Sequence, residues 1–408
     1  MGGGKMDINT KVSSGRITPM KAAVYALIAV VLIVSPILFE GFGLLFLTRI
    51  AALVGLYVML ALGLNIVVGF AGLLDLGYIA FYAIGAYSGV IVGTVAIRYM
   101  PPAMQPYTYF LMIPVAAAFA ALAGVMLGTP VLRLRGDYLA IVTLGFGEIV
   151  RIIINNNAFG ITNGAAGLPR AGEFLPKPAG LEWLQSNAFF TLPNLGANGF
   201  TFSFSGNLYW YYIIVLLCCA AIFVVRRLND SRLGRSWVAM REDEVAASSM
   251  GVSITGAKLW AFSLGAVWGG IAGLTFANFQ QFVSPESFTF MESVFVVCTV
   301  VIGGMGSIPG AIVGALLIQG TPEFIRGFAS SGIIQGLSGE QVTAISNYRN
   351  LVFGLGMVLM MVWRPQGLIP SKRRAAELNA DDDILEEENE TLYDIQHDTG
   401  RFGDSADQ

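Results

Sequence analysis

The chain has 408 residues, of which 55% are hydrophobic and only 12% are charged, whereas charged residues usually make up about a quarter of a soluble domain. The composition therefore excludes an ordinary soluble protein. The single histidine, His397, lies in a polar tail, which excludes histidine metal clusters and Ser-His-Asp catalysis from the apolar part of the chain. We predict an all-α polytopic membrane protein with no catalytic residues and no metal site.

The formal net charge of −3 combines two opposed parts of the chain. Residues 377–408 hold 12 acidic residues and one basic residue, Arg401, and so charged a segment with few apolar residues does not fold alone. We therefore predict a disordered acidic tail over residues 371–408. Residues 1–21 are predicted to be a polar leader, and the rest of the chain has the basic excess that is typical of membrane proteins with positive cytoplasmic loops.

Residues 22–370 are predicted to form the membrane domain. A helix needs about 20 consecutive, mostly apolar residues to cross a bilayer, and nine predominantly apolar runs follow one another in this part of the chain. They are Ala22–Phe39, Ile50–Leu74, Leu76–Ile97, Tyr107–Leu132, Tyr138–Ile154, Leu208–Val225, Leu259–Val283, Ser293–Ile318 and Leu351–Trp363.

Glycine clusters predict where these helices break. Only Asp75 separates the second run from the third, and Gly69, Gly72 and Gly77 surround it, so the chain has to turn there through broken helix. A second cluster over residues 303–310 splits the eighth run into two shorter or re-entrant pieces. We predict about eight to ten transmembrane helices, rich in glycine, of which some are broken or re-entrant.

Two long polar sections interrupt the apolar runs. Residues 155–207 are too polar and too rich in proline and glycine to cross a bilayer, so we predict a large external loop there. Residues 226–258 begin with a basic cluster that includes Arg226 and Arg227, which places this second loop in the cytoplasm by the positive-inside rule. Together with the number of crossings, the same rule predicts that both termini are cytoplasmic.

The cytoplasmic loop contains a stretch with helical character. Residues 237–251 are predicted to form one short amphipathic helix that Gly251 ends, with a charged cluster over residues 241–244. Such a helix suits docking into a groove of a partner protein, and the alternative is a helix that lies on the bilayer surface. Its apolar side chains are Val238, Met240, Val245 and Met250.

Four polar residues within the apolar runs are candidates for lining a translocation path. Glu148 and Arg151 are three residues apart on one helical face, so they either form a structural ion pair or line a polar path. Asn65 and Asp75 either line a cavity or satisfy backbone groups that the glycine-rich break leaves free. The sequence contains no P-loop motif and no zinc-type cysteine pattern, so it shows no means of hydrolysing ATP.

Several strings of this sequence resemble one protein family. Residues 226–258 resemble the coupling-helix region of ABC importer permeases, although here Val245 separates Glu244 from the two alanines. Longer strings, such as LGLNIVVGFAGLLDLGYIAFYAIGAY from Leu62 and GRSWVAMREDEVAASSMGV from Gly234, resemble LivM-type permease subunits of branched-chain amino acid ABC importers. The resemblance implies an ATPase-coupling loop that contains Gly234, Arg241, Glu242, Asp243, Glu244, Ala246, Ala247 and Gly251.

The resemblance also implies a division of labour between several subunits. This chain would be a permease in the cytoplasmic (inner) membrane that contacts lipid, a second homologous LivH-like permease and a substrate-binding protein, and no nucleic acid. Two separate ABC ATPase subunits would use ATP and Mg, so that this chain would bind no cofactor. The solute would be leucine, isoleucine or valine.

Three other functions remain open from the sequence alone. A urea or short-chain amide ABC permease would have a similar sequence and the same partner ATPases. An ion-coupled secondary transporter would use membrane-embedded acidic residues and would need no docked ATPase. A membrane scaffold that acts through its acidic tail is the third alternative.

Overall fold

This computed structural model describes the central part of the chain and several shorter pieces. The described residues are 30–40, 44–101, 104, 107–131, 134, 136–157, 160–169, 190–192, 200–202, 206–324, 354–355, 358–359, 362–364 and 367–370. The predicted leader over residues 1–21 and the predicted tail over residues 371–408 lie outside the described residues. The predicted external loop 155–207 and the last apolar run are described only in part.

Helices make up most of the described residues. In chain order they are α1 (Val30–Glu40), α2 (Leu45–Leu64), α3 (Ile79–Tyr99), α4 (Thr108–Val131), α5 (Asp137–Asn155), α6 (Gly206–Asn229), α7 (Arg232–Glu242), α8 (Glu244–Ser249), α9 (Ile254–Gln280), α10 (Phe290–Gly303) and α11 (Ile308–Ala315). Within the described part, six helices are long and apolar enough to cross a membrane, namely α2 with its extension to Phe70, α3, α4, α5, α6 and α9. The prediction of an all-α polytopic membrane protein is therefore confirmed.

The remaining regular elements are short. Two turns of 3₁₀ helix and two π-helical segments interrupt or extend the main helices, and two antiparallel pairs of strands follow α5 and α9. The 3₁₀ turns are Gly164–Ala166 and Pro285–Phe288, and the π-helical segments are Asn65–Phe70 and Leu316–Gly320. The paired strands are β1 (Leu168–Pro169) with β4 (Phe282–Val283), and β2 (Phe190–Leu192) with β3 (Phe200–Phe202).

Helix α9 is the centre of the bundle, because it packs against α2, α3 and α4. Small residues allow these helices to approach closely, as is usual in membranes. A Cβ atom added to Gly85 of α3 would overlap the backbone of Gly270 in α9. The hydroxyl groups of Tyr109 in α4 and Thr275 in α9 are 2.9 Å apart and share a hydrogen bond. The close backbone contact with α3 and the buried hydrogen bond to α4 thus fix the position of α9 between these two helices.

The first predicted break lies at the end of α2. The helix continues as the π-helical segment Asn65–Phe70, and α3 begins only at Ile79. The backbone N–H of Leu73 donates to the carbonyl of Val67, six residues earlier, at 3.0 Å, so the regular i to i−4 pattern is lost here. Residues 65–78 are called the helix break below.

The second predicted break separates α10 from α11. Helix α10 ends at Gly303 and α11 begins at Ile308, so the eighth apolar run is split, as its glycine cluster predicts. Helix α11 packs back on α10, since a Cβ atom on Gly314 would overlap the carbonyl of Thr299, and residues 304–307 join the two helices as the α10–α11 turn. The backbone N–H groups of Leu368 and Ile369 donate to the last two carbonyls of α10 at 2.9 and 3.0 Å, and this contact covers the end of the helix.

The prediction of one amphipathic helix over residues 237–251 was wrong, since two short helices, α7 and α8, occupy this stretch. Asp243 separates them with an extended backbone (φ −153°, ψ 115°). Its carboxylate accepts hydrogen bonds from the backbone N–H groups of Val245 at 2.7 Å and Ala246 at 3.0 Å. Aspartate favours such an N-cap, because it satisfies amides at a helix start that would otherwise have no partner. The charged cluster over residues 241–244 therefore does not lie within one continuous helix, because α8 begins inside it at Glu244.

Candidate functional site

The polar segment over residues 230–253, called the α7–α8 segment below, begins with a tight turn after α6. The Ser231 hydroxyl accepts a hydrogen bond from the backbone N–H of Gly234 at 3.3 Å and caps α7. A Cβ atom on Gly234 would overlap the backbone carbonyls of Leu228 and Asn229 at the end of α6. Gly234 is therefore needed for the close approach that sets the direction of α7.

Two contacts hold the α7–α8 segment on the first turns of α9. The indole nitrogen of Trp237, which is fully buried, donates to the carbonyl of Ala257 at 2.8 Å. The ammonium group of Lys258 lies 2.7 Å from a carboxylate oxygen of Glu244 in α8, and the Lys258 side chain is only 2% exposed. A buried charge is stable only with a partner, so this ion pair fixes α8 on α9.

A third contact joins the α7–α8 segment to the helix break. The guanidinium of Arg241 donates from Nη1 to the carbonyl oxygen of Gly69 at 2.9 Å. The side chain of Arg241 also packs over Gly72, where an added Cβ would lie 2.7 Å from Arg241 Cγ. In a regular helix, the N–H of Leu73 would donate to the carbonyl of Gly69, but here it donates to Val67. The guanidinium of Arg241 therefore replaces the backbone N–H that would bind the Gly69 carbonyl in a regular helix.

Side chains of the helix break and of α5 satisfy further backbone groups of the break and one of the α10–α11 turn. Asn65 Oδ1 accepts from the backbone N–H of Gly306 in the α10–α11 turn at 2.8 Å. Asp75 Oδ1 accepts from the N–H of Gly77 at 2.9 Å, and Thr143 Oγ1 of α5 accepts from the N–H of Leu76 at 3.0 Å. Asn65 and Asp75 are both fully buried. They pair with freed backbone groups, which is one of the two roles considered from the sequence, and their place in a solute path stays a prediction.

Glu148 and Arg151 form an ion pair away from the helix break. Arg151 Nε donates to both carboxylate oxygens of Glu148, at 3.0 and 3.1 Å. Arg151 also lies 4.0 Å from Glu286 in the 3₁₀ turn that precedes α10. The side chains of Glu148 and Arg151 are 38% and 25% exposed. The four candidates for the translocation path therefore lie in two separate places, and a path role for this pair also stays a prediction.

Part of the exposed surface of the α7–α8 segment is both acidic and apolar. The described residues that form it include Glu242 and Asp243 together with Val245 and Met250, which are 64% and 85% exposed. Met240, predicted as part of the docking set, is buried in the core, because it lies on the face of α7 that packs inward with Trp237. This acidic and apolar part of the surface therefore begins at the end of α7 and continues along α8, whereas Arg232 and Arg235 are exposed at the start of α7.

Gly251 ends α8, as the sequence predicts. The backbone N–H groups of Met250, Gly251 and Val252 donate to carbonyls of the last turn at 3.0 to 3.1 Å. Gly251 has a φ of +86°, and no atom lies within 4 Å of an added Cβ. A side chain at this position would therefore meet no neighbouring atom. It would still be unfavourable, because the left-handed backbone conformation favours glycine.

Sequence reasoning missed four residues that hold this site together, namely Trp237, Lys258, Gly69 and Gly306. Trp237 and Lys258 carried a signal, because a tryptophan within a charged loop and a lysine at the start of an apolar run both need buried partners. Gly69 and Gly306 belong to the glycine clusters that predict the two breaks, but nothing in the sequence predicts that their backbone atoms bind Arg241 and Asn65. Among the described residues, no group of three or more histidine, cysteine, aspartate or glutamate side chains could hold a metal ion.

The Glu244–Lys258 ion pair leads to a test of stability. Glu244→Ala leaves the buried ammonium without this carboxylate, so we expect a loss of about 3 kcal/mol in the free energy of unfolding. Lys258→Met should cost less, because Glu244 is partly exposed and can turn toward water. Chemical unfolding of the purified protein in detergent measures both values. The Glu244→Ala/Lys258→Met double variant should be more stable than Glu244→Ala, and equal losses in the two single variants would contradict this account.

Comparison with known proteins adds evidence that is independent of this geometry. A family model for the permease component of the branched-chain amino acid transport system matches residues 46–361. The chain is 44% identical over 335 residues to the high-affinity branched-chain amino acid transport system permease protein LivM of Escherichia coli (strain K12), a match that covers 81% of this chain and 71% of the relative.

More distant relatives also match. The probable branched-chain amino acid transport permease protein LivM of Methanocaldococcus jannaschii is 24% identical over 78% of this chain and 91% of its own length. The permease protein LivH of Escherichia coli (strain K12) is 28% identical over 34% of this chain and 40% of its own length. No solved structure matches the chain significantly. Because the family model spans most of the chain and the bundle has the expected membrane helices, the chain belongs to the family of branched-chain amino acid transport system permease components.

Proposed function

We propose that this chain is the membrane permease subunit of an ABC importer that moves leucine, isoleucine and valine across the cytoplasmic membrane. The observation that supports the coupling to ATP is the α7–α8 segment, which is held on α9 and on the helix break while its acidic and apolar surface stays exposed. The proposed substrates rest on the likeness to LivM of Escherichia coli over most of the chain.

Separate ABC ATPase subunits would supply the driving force and would bind ATP and Mg. The sequence contains no P-loop with which this chain could bind the phosphates itself. Val245 and Met250 give the α7–α8 segment two exposed apolar side chains, and Glu242 and Asp243 give it negative charge beside them. A groove with apolar lining and basic edges in an ATPase subunit would be complementary to this surface.

The orientation in the membrane follows from the basic residues near the α7–α8 segment. Arg226 and Arg227 lie in the last turn of α6, and Arg232 and Arg235 lie in α7, so the positive-inside rule places this end of the bundle in the cytoplasm. Both chain termini would then be cytoplasmic as well. The opposite end, with the β1–β4 strand pair and the 3₁₀ turn that carries Glu286, would face the substrate-binding protein.

A second, LivH-like permease would pack against α5. The outward face of α5 carries the partly exposed pair of Glu148 and Arg151, and charged side chains are costly against lipid. By contrast, α4 contains no charged residue, and its exposed side chains, such as Leu122 and Met126, suit lipid. Coverage by a homologous subunit would remove the ion pair from lipid, and it would also place the pair at the interface where a solute path between two permeases would run.

The first experiment is the purification of the tagged protein from native membranes, followed by reconstitution with its partners. We expect P-loop ATPases and a second permease to copurify, and ATP-driven uptake of labelled leucine into proteoliposomes that also contain the binding protein. Uptake of urea without leucine uptake would replace the proposed substrate but keep the ABC importer. Solute transport by the protein alone along an ion gradient would instead support the secondary transporter.

Gly251 should be needed for coupling, because it sets the direction of the chain after α8. A valine in this left-handed conformation costs about 1–2 kcal/mol, enough for a roughly tenfold shift between conformations. We expect Gly251→Val to lower leucine uptake per ATP hydrolysed. Gly251→Asn serves as the matched control, because asparagine tolerates the left-handed conformation. Unchanged uptake per ATP in Gly251→Val would contradict this role.

The position of the second permease can be tested by photo-crosslinking. A photoreactive residue at Ile141 or Ile149 of α5, which are both exposed, should crosslink to the partner permease in the purified complex. The same residue at Leu122 or Met126 of α4 should crosslink to lipid and not to protein. Mass spectrometry of the products distinguishes the two outcomes, and protein crosslinks from α4 alone would place the interface elsewhere.

A further inference from the structure

The contact between Arg241 and Gly69 differs in kind from the other contacts of the α7–α8 segment. Trp237 and Glu244 join the segment to α9, a long continuous helix at the centre of the bundle. Arg241 joins it to the helix break, where the backbone has left the regular helical pattern. A pull on a continuous helix moves the whole helix, whereas a pull on a break can change the local backbone conformation.

The helix break is joined in turn to the α10–α11 turn. Asn65 Oδ1 accepts from Gly306 N at 2.8 Å. Gly69, whose carbonyl binds Arg241, packs against both groups, since a Cβ atom on Gly69 would overlap Asn65 Oδ1 and lie 2.5 Å from Gly306 N. Arg241, Gly69, Asn65 and Gly306 therefore form one connected set of contacts between the α7–α8 segment and two interrupted helices.

The two partners of the Asn65–Gly306 contact have features that would permit a change of conformation. The α10–α11 turn contains two glycines with positive φ, Gly304 at +118° and Gly306 at +78°, so its backbone is free of side-chain constraints at these positions. The amide nitrogen of Asn65 is buried and donates no hydrogen bond within the described residues. A shift of the turn would bring other carbonyl groups to this donor.

From these contacts, we propose that Arg241 is a positioning residue that transmits displacement of the α7–α8 segment to the helix break and, through Asn65, to the α10–α11 turn. The inference rests on the proposed function, because an ATPase subunit docked on the segment would produce the displacement. When the segment moves, Arg241 draws the Gly69 carbonyl with it. The π-helical segment then shifts against the α10–α11 turn, and the path between the interrupted helices changes its access.

The test compares three variants in the full transport complex, reconstituted with its ATPases, second permease and binding protein. Arg241→Met keeps much of the side-chain length and removes the donor, and Arg241→Lys keeps a donor and a positive charge. Arg235→Met is the matched control, because Arg235 is exposed and, among the described residues, donates to the nearby carbonyl of Asp230 at 3.1 Å. For each variant, ATPase copurification, ATP hydrolysis and leucine uptake are measured on the same preparation.

We expect Arg241→Met to retain its ATPases and to hydrolyse ATP at a similar rate, while leucine uptake per ATP falls by roughly tenfold, the effect of losing one hydrogen bond to a charged group. Arg241→Lys should recover part of the uptake, and Arg235→Met should match the wild type. If Arg241→Met lost its ATPases, Arg241 would be a docking residue and the proposal would be wrong. Unchanged uptake per ATP would also overturn it.

A second link in the set allows a test even if Arg241→Met does not fold. Asn65→Gln keeps an amide that can accept from Gly306 N and also keeps the donor, whereas Asn65→Leu removes both, and the ratio of uptake to ATP hydrolysis should fall further in Asn65→Leu. Equal ratios in the two variants would overturn the proposed transmission. Failure of the proposed function is distinguishable, because the wild-type complex would then show no ATP-driven uptake at all.

Discussion

Backbone N–H and C=O groups that leave a helix within a membrane need partners from the protein, because lipid offers none. The helix break between α2 and α3 is the place where this constraint has the largest consequences. Its free groups are met by Arg241 from the α7–α8 segment, by Thr143 from α5 and by its own Asp75, while Asn65 reaches across to Gly306. Four parts of the molecule therefore meet at one interruption, and none of them can move there without affecting the others.

The strengths of these attachments differ in a way that suits a moving part. Removing one partner of a buried ion pair such as Glu244–Lys258 costs about 3–5 kcal/mol, so α8 should stay on α9 through a transport cycle. A hydrogen bond from a charged donor to a backbone carbonyl contributes only about 1.5–3 kcal/mol. On the proposed transmission, the Arg241–Gly69 contact is the weaker of the two attachments and has to persist while the α7–α8 segment moves.

The sequence predicts the helices and the positions of their interruptions, because apolar runs and glycine clusters act locally. The Glu148–Arg151 pair is predictable for the same reason, since the two residues are three positions apart on one helix. The contact between Asn65 and Gly306 spans 241 positions, and one of its partners is a backbone atom without a side-chain signal. The division into α7 and α8 was missed because Asp243 serves equally well as a charged surface residue of a helix and as an N-cap.

Two buried polar atoms of the helix break bear on how it could move under the proposed transmission. The amide nitrogen of Asn65 and the second carboxylate oxygen of Asp75 have no hydrogen-bond partner within the described residues. An unpaired buried group costs about 1–3 kcal/mol, so a conformation that gives either atom a partner would gain free energy. A state in which the break opens toward water or a zwitterionic solute would supply both partners. Under the proposed transmission, the movement that breaks the Asn65–Gly306 contact would then gain a partner for Asp75, and access to the proposed path would depend on the position of the α7–α8 segment.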